Sequence, residues 1–214
     1  MTDVPVPHRR PLALRWPVLL VVGVVAVALI GVAGWKVGSY LRPHAYHGMI
    51  LQSPQPARNF TLTDQHGQPV SLNDFRGKLV MLFFGYTTCP DVCPVTLSVV
   101  NKARESLGAD AKDVQVIMVS VDPQRDTPEI MGEYVARYDP SFIGLTGTPE
   151  KIAETATYYG VYYNAHPVTS ALGYLVDHTA TVMVVDRDGY LRLIFPFGVS
   201  VEDMADDLSY LLSR

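Results

Sequence analysis

KLVMLFFGYTTCPDVCPVTL, residues 78–97, is the stretch whose reading decides the fold. Residues 78–85 form an unbroken apolar run between Gly77 and Gly85, the pattern of a strand buried on both faces. From Pro94 to Leu107, the residues Val95, Val99, Val100, Ala103 and Leu107 recur at helical spacing. A buried strand feeding directly into a helix opens a β–α–β unit. Both cysteines of the chain lie in the turn between them.

The same grammar continues in both directions. Upstream, FTLTDQHGQPVSL at 60–72 alternates on either side of His66-Gly67 and predicts a hairpin. Downstream, VQVIMVSVD at 114–122 reads as a second buried strand. Thr127 and Pro128 then supply an N-cap and first helical position, and Thr148-Pro149 repeat that start for a helix reaching about Tyr159. A short strand is expected within 142–147, and a polar loop over 164–177. TATVMVVDRDGYLRLIF at 179–195 predicts an antiparallel hairpin turning at Arg187-Asp188-Gly189, followed by a last amphipathic helix over 201–213. Strands alternating with helices imply an α/β sheet covered by helices on both faces.

The N-terminus obeys different rules. PVLLVVGVVAVALIGVAGW, residues 17–35, holds nineteen residues without a charge. At about 1.5 Å per residue, a helix of that length approaches the roughly 30 Å hydrocarbon core of a bilayer. Arg9, Arg10 and Arg15 precede the run, and Trp16 and Trp35 bracket it. That arrangement predicts a single-pass signal anchor over 17–38 with residues 1–16 cytoplasmic and the C-terminal domain on the periplasmic side of the cytoplasmic membrane. A cleaved signal peptide, with Val32-Ala33-Gly34 before the cut, is the competing reading, although its apolar region is usually about 7–15 residues. Residues 39–58, with Pro43, Gly48, Pro54 and Pro56, read as a tether to a domain over 59–214.

The chain carries 17 Lys and Arg against 21 Asp and Glu, and only three of the former and one of the latter precede Lys36. The domain is therefore acidic, without the basic stripe of a nucleic-acid binder.

Cys89 and Cys93 carry the chemistry. Residues four apart on a helix share a face, about 5–6 Å apart at Cβ, so the sulfurs can converge and lie within disulfide range. The N–H groups and dipole at a helix start favour thiolate over thiol. Such a pair can exchange disulfides or hold a soft metal, but two cysteines do not complete a usual iron–sulfur cluster or a four-ligand zinc site. Cu(I) accepts few ligands, and one imidazole would complete an S₂N site. Six histidines are available, of which His8 precedes the anchor, His44 and His47 lie in the tether, and His66 and His166 in turns or loops. His178 stands at a strand entrance beside Asp177, where a histidine by default packs or hydrogen-bonds.

GYTTCPDVCPVTL at 85–97, VSVDPQRDTPEIMGEY at 119–134 and VDHTATVMVVDRDG at 176–189 together resemble the Sco/SenC family, assembly factors for cytochrome c oxidase. FTLTDQHGQPVSLNDFRGK at 60–78 resembles the entrance to that family's domain, and the similarity runs in family order over about 46–214. The resemblance implies a thioredoxin-like fold with inserted and N-terminal hairpin elements. It implies Cys89, Cys93 and His178 as ligands of copper, as Cu(I) or Cu(II), and a Cys89–Cys93 redox pair able to form a disulfide. It further implies a metallochaperone rather than an enzyme, supplying the binuclear copper centre of the oxidase subunit. Other copper chaperones or thiol reductants are expected as further partners.

A thiol–disulfide oxidoreductase that reduces the oxidase subunit's cysteines is the alternative, and a peroxidase-like enzyme a third. The C-x-x-x-C spacing differs from the C-x-x-C of thioredoxin-type reductases, and no proline precedes His178 where those enzymes keep one. Asp91 is either a thiolate-tuning group or a turn residue. Asp122, Arg125 and Asp126 are read as a strand end and helix start, and Met81, Met118, Met183 and Met204 as core rather than copper ligands.

Overall fold

The computed structural model describes residues 16–40, 44–167 and 173–214, with no side-chain description at 17–18 and 35–40. The chain divides into two units, Met1–Ala45 and Tyr46–Arg214. The first contains α1 (Trp16–Tyr40), a helix of 25 residues. Its contiguous described side chains, 19–34, are all apolar or glycine and all exposed. Among the described residues, no helix is long and apolar enough to cross a membrane. The predicted anchor rests on its sequence, and the cytoplasmic segment expected before Trp16, His8 included, lies outside the described residues.

The second unit is built on an eight-stranded sheet. Its strands are β1 (Met49–Pro56), β2 (Thr61–Asp64), β3 (Pro69–Ser71), β4 (Leu79–Gly85), β5 (Val114–Ser120) and β6 (Ile143–Thr146). A separate two-stranded sheet pairs β7 (Tyr163–Pro167) with β8 (Tyr174–His178), and β9 (Val182–Val185) and β10 (Tyr190–Phe195) return to the large sheet. The large sheet runs β1-β10-β9-β4-β5-β6-β2-β3. The helices are α2 (Val92–Ser106), α3 (Pro128–Val135), α4 (Pro149–Tyr158) and α5 (Val201–Leu212).

β4 lies at the centre, parallel to β5 on one side and antiparallel to β9 on the other. Every residue of β4 and of β5 is buried. That is why both read as largely apolar runs, β5 broken only by the buried Gln115 and Ser120. Side chains alternate across a sheet, so Phe83 and Phe84 face opposite ways. An added Cβ at Gly85 would touch both Phe83 and Cys93, so Phe83 shares its face with α2, against which α5 also packs. Phe84 meets the ring of Tyr159, just beyond α4. Helical segments thus cover both faces, as predicted.

The helix starts behave as their sequences predict. The Thr127 and Thr148 hydroxyls accept from the Ile130 and Lys151 amides, with proline next in each helix. The predicted hairpins at 60–72 and 179–195 form as β2–β3 and β9–β10, with Gly67 and Gly189 at positive φ in their turns.

Two expectations need correction. Residues 49–56 are not tether but an edge strand, antiparallel to β10 with a register shift between Ile50 and Gln55. Pro54 and Pro56 concealed it, because proline is excluded from central strands but tolerated at a sheet edge. The predicted polar loop over 164–177 is largely the β7–β8 hairpin, whose strands are only partly buried and so carry no clear two-residue alternation. The expected Met81, Met118, Met183 and Met204 are core residues.

Candidate metal centre

Cys89 follows β4 by four residues, and Cys93 is the second residue of α2. Cys93 is fully buried, whereas Cys89 is half-exposed. Gly85 is required beneath them, because a Cβ there would fall 2.7 Å from Phe83 and 2.9 Å from Cys93 Sγ.

The intervening loop is fastened from below by Asp126. That buried carboxylate accepts from Thr87 Oγ1 and Ser120 Oγ at 2.6 Å each, and from the Thr87 amide at 3.2 Å. Burial nevertheless raises its pKa, the three hydrogen bonds offsetting part of that desolvation. Asp126 is therefore an anchor of the cysteine loop. Asp91 occupies the N-cap of α2 without a side-chain capping bond.

His178 ends β8, and its imidazole reaches the cysteines from the other sheet. Nε2 stands 3.3 Å from Cys93 Sγ, and Nδ1 stands 3.2 Å from the Thr179 carbonyl oxygen. A carbonyl only accepts, so Nδ1 is the nitrogen that donates to it and Nε2 is the one turned to the sulfurs. The ring is held edge-on by Phe83 and Tyr86, with centroids 6.1 and 5.7 Å away. Cys89 Sγ, Cys93 Sγ and a His178 ring nitrogen all lie within 4.8 Å of one another. The structure thus brings together the three residues singled out in the sequence.

The two thiols are electrically unequal. The Cys93 thiol donates toward the Cys89 sulfur, and with His178 and the amides of residues 91 and 93 it lowers the Cys89 pKa from 9.0 to about 3, against the opposing effect of burial. Cys93 is driven the other way, by that same bond and by burial. Cys89 is the thiolate and Cys93 the proton reservoir. Both are free thiols here, so the expected Cys89–Cys93 disulfide is not formed in this structure.

Other histidines do other work. His47 sits between the carboxylates of Asp203 and Asp206, at 3.1 and 3.4 Å, on the surface of α5. His166 faces Asp177 across the hairpin at 3.4 Å. Sequence reading missed Tyr86, whose phenol accepts from the Val176 amide at 3.3 Å and is pushed up to about 12, chiefly by burial. It also missed Tyr174, whose hydroxyl donates to Asp122 at 2.7 Å. Neither lies in a spacing pattern that marks a ligand.

Two soft sulfurs, one already ionised, and one imidazole make a donor set for a thiophilic metal such as copper. The same thiolate–thiol pair is also equipped for disulfide exchange. Fold and site together define a thioredoxin-like protein with an imidazole set against its thiol pair. The profile of the SCO1/SenC family matches residues 50–213, and the chain belongs to that family. Mouse "Protein SCO2 homolog, mitochondrial" is 36% identical over 152 residues, covering 70% of this chain and 60% of that protein. The chain thus spans about 60% of the length of this mitochondrial relative. Bradyrhizobium japonicum ScoI, solved with copper bound, is 40% identical with a TM-score of 0.67, covering 73% of this chain and 99% of that one. Apo Sco1 from Thermus thermophilus is 42% identical with a TM-score of 0.69, covering 79% and 97%.

Proposed function

We propose that this chain binds copper through Cys89, Cys93 and His178 and delivers it to the binuclear copper centre of cytochrome c oxidase during assembly. The observation that carries the reading is His178 Nε2 facing Cys93 Sγ at 3.3 Å. A dithiol alone serves redox exchange, whereas a third donor brought to it from a separate sheet completes a donor set for a metal. Relatives at 27–40% identity solved with copper bound support the choice of metal. Copper would draw on the Cys89 thiolate directly and would displace the Cys93 proton. The chain's own contribution is to orient the imidazole, hold one sulfur ionised and keep the other buried.

The uncharged run 17–35 behind Arg9, Arg10 and Arg15 supports a membrane anchor that holds the domain on the periplasmic side, where the receiving subunit would load its copper.

A second reading is favoured by the split protonation of the thiols. In it, Cys89 attacks a disulfide of the oxidase subunit to form a mixed disulfide. Cys93 then attacks Cys89, releasing the subunit's dithiol and leaving a Cys89–Cys93 disulfide, with two electrons passed to the subunit. Only copper delivery needs His178. In the full chain carrying His178→Ala, loss of both Cu(II) stoichiometry and oxidase activation is expected. Activation retained without Cu(II) binding would replace delivery by reduction.

A further inference from the structure

The strand that carries the imidazole ligand is not hydrogen-bonded into the large sheet. β8 pairs only with β7, in register from Tyr163↔His178 to Pro167↔Tyr174. At the end of β8 remote from His178, however, Tyr174 is gripped from three directions. Its hydroxyl donates to Asp122 Oδ1 at 2.7 Å. Its carbonyl accepts from Arg125 Nη1 at 3.1 Å, and the Arg125 guanidinium lies over its ring, 3.6 Å from the centroid. Arg125 Nε in turn donates to Asp122 Oδ2. Asp122 is buried just beyond β5, and Arg125 precedes α3, so both belong to the body of the domain.

We propose that Asp122, Arg125 and Tyr174 form a clamp that positions His178, and that this clamp governs the Cu(II) affinity of the site while leaving Cu(I) affinity nearly unchanged. The inference rests on the copper-binding reading. None of the three residues is needed as a ligand. They act through β8, the five-residue strand that runs from Tyr174 to His178. The selectivity follows from coordination chemistry: two thiolates suffice for Cu(I), which tolerates low coordination, whereas Cu(II) demands the nitrogen donor as well. Residues behind a ligand commonly change metal affinity by about 10–100-fold when removed, without touching the ion. Arginine is irreplaceable by lysine here, because only the planar guanidinium can stack on the ring while donating from its edge.

The test titrates the full chain, purified in detergent, with Cu(II) and separately with Cu(I) held in a competing chelator. The variants are Arg125→Ala and Tyr174→Phe. For Arg125→Ala, Cu(II) affinity should fall by about 10-fold or more, with a changed thiolate-to-Cu(II) charge-transfer band, while Cu(I) affinity shifts by less than about threefold. Tyr174→Phe keeps the ring under Arg125 but loses the bond to Asp122, and should show a smaller change of the same sign. Equal losses for both oxidation states, or an unchanged charge-transfer band in either variant, would overturn the clamp. Should Arg125→Ala fail to fold, Tyr174→Phe decides alone. Failure of the wild-type chain to bind copper would instead sink the copper reading.

Discussion

Cys89 and Cys93 ride on β4 and α2, whereas His178 rides on β8, and the two supports differ in kind. β4 is paired on both sides, and each of its seven residues is buried. β8 is paired on one side, and only Val176 of its five residues is buried. The sulfurs are held by the hydrophobic core, which is non-directional, dense and difficult to deform. The imidazole is held by a few directional contacts through Tyr86, Asp122, Arg125 and Tyr174. A site assembled this way has a fixed half and an adjustable half.

The largest expected effect tests the fixed half. Phe83 is fully buried between the sheet and the cysteine helix, and its ring packs edge-on against His178. Phe83→Ala should lower unfolding free energy by about 3–5 kcal/mol, as for other large-to-small core changes. Urea denaturation followed by far-UV circular dichroism measures it. A loss below about 1 kcal/mol would mean that the core does not rigidly seat the sulfurs.

An intermediate effect sharpens the adjustable half. Tyr86→Phe keeps the ring beside His178 but removes the oxygen that accepts from the Val176 amide. Leaving that buried donor unpaired should cost about 1–3 kcal/mol. Native-state hydrogen exchange should show the opening confined to β7 and β8, with the amides of β4 and β5 as protected as before. Uniform loss of protection would erase the distinction between the halves.

The same division explains what the sequence could reveal. β4, β5, the helix starts at Thr127 and Thr148, and the β2–β3 and β9–β10 hairpins follow local rules of burial, capping and turn chemistry. Each was legible from consecutive residues. β1 was not, because Pro54 and Pro56 argue against a strand unless an edge is known to be free. β7 and β8 were not, because strands that are only partly buried lose their alternation. Cys89 and Cys93 announced themselves by spacing at a strand–helix junction. His178 is 85 residues from Cys93, and its role came from the family resemblance. Asp122 and Asp126 were read as a strand end and helix start, which is where they sit. Their further work, gripping Tyr174 and Thr87, depends on partners 52 and 39 residues away that no local pattern marks.

The smallest expected change is a flat line. The Cys89 pKa falls from 9.0 to about 3 on folding, first through the Cys93 thiol and then, against burial, through His178 and two backbone amides. A group whose pKa is lowered by folding contributes stability that is full above its unfolded value and drains away as pH falls toward its folded one. Between pH 5 and 8 the folded chain therefore keeps Cys89 ionised, and its rate of iodoacetamide alkylation should hardly vary, whereas an ordinary thiol would gain about tenfold per unit. Peptide mapping by mass spectrometry should find the label on Cys89, with Cys93 protected by its burial and its retained proton. Because the largest favourable contribution comes from Cys93 and a smaller one from His178, Cys93→Ala should restore more of the ordinary slope than His178→Ala. The reverse ranking would place control of the thiolate in the adjustable half of the site, and the division drawn between sulfur and imidazole supports would fail at its most sensitive point.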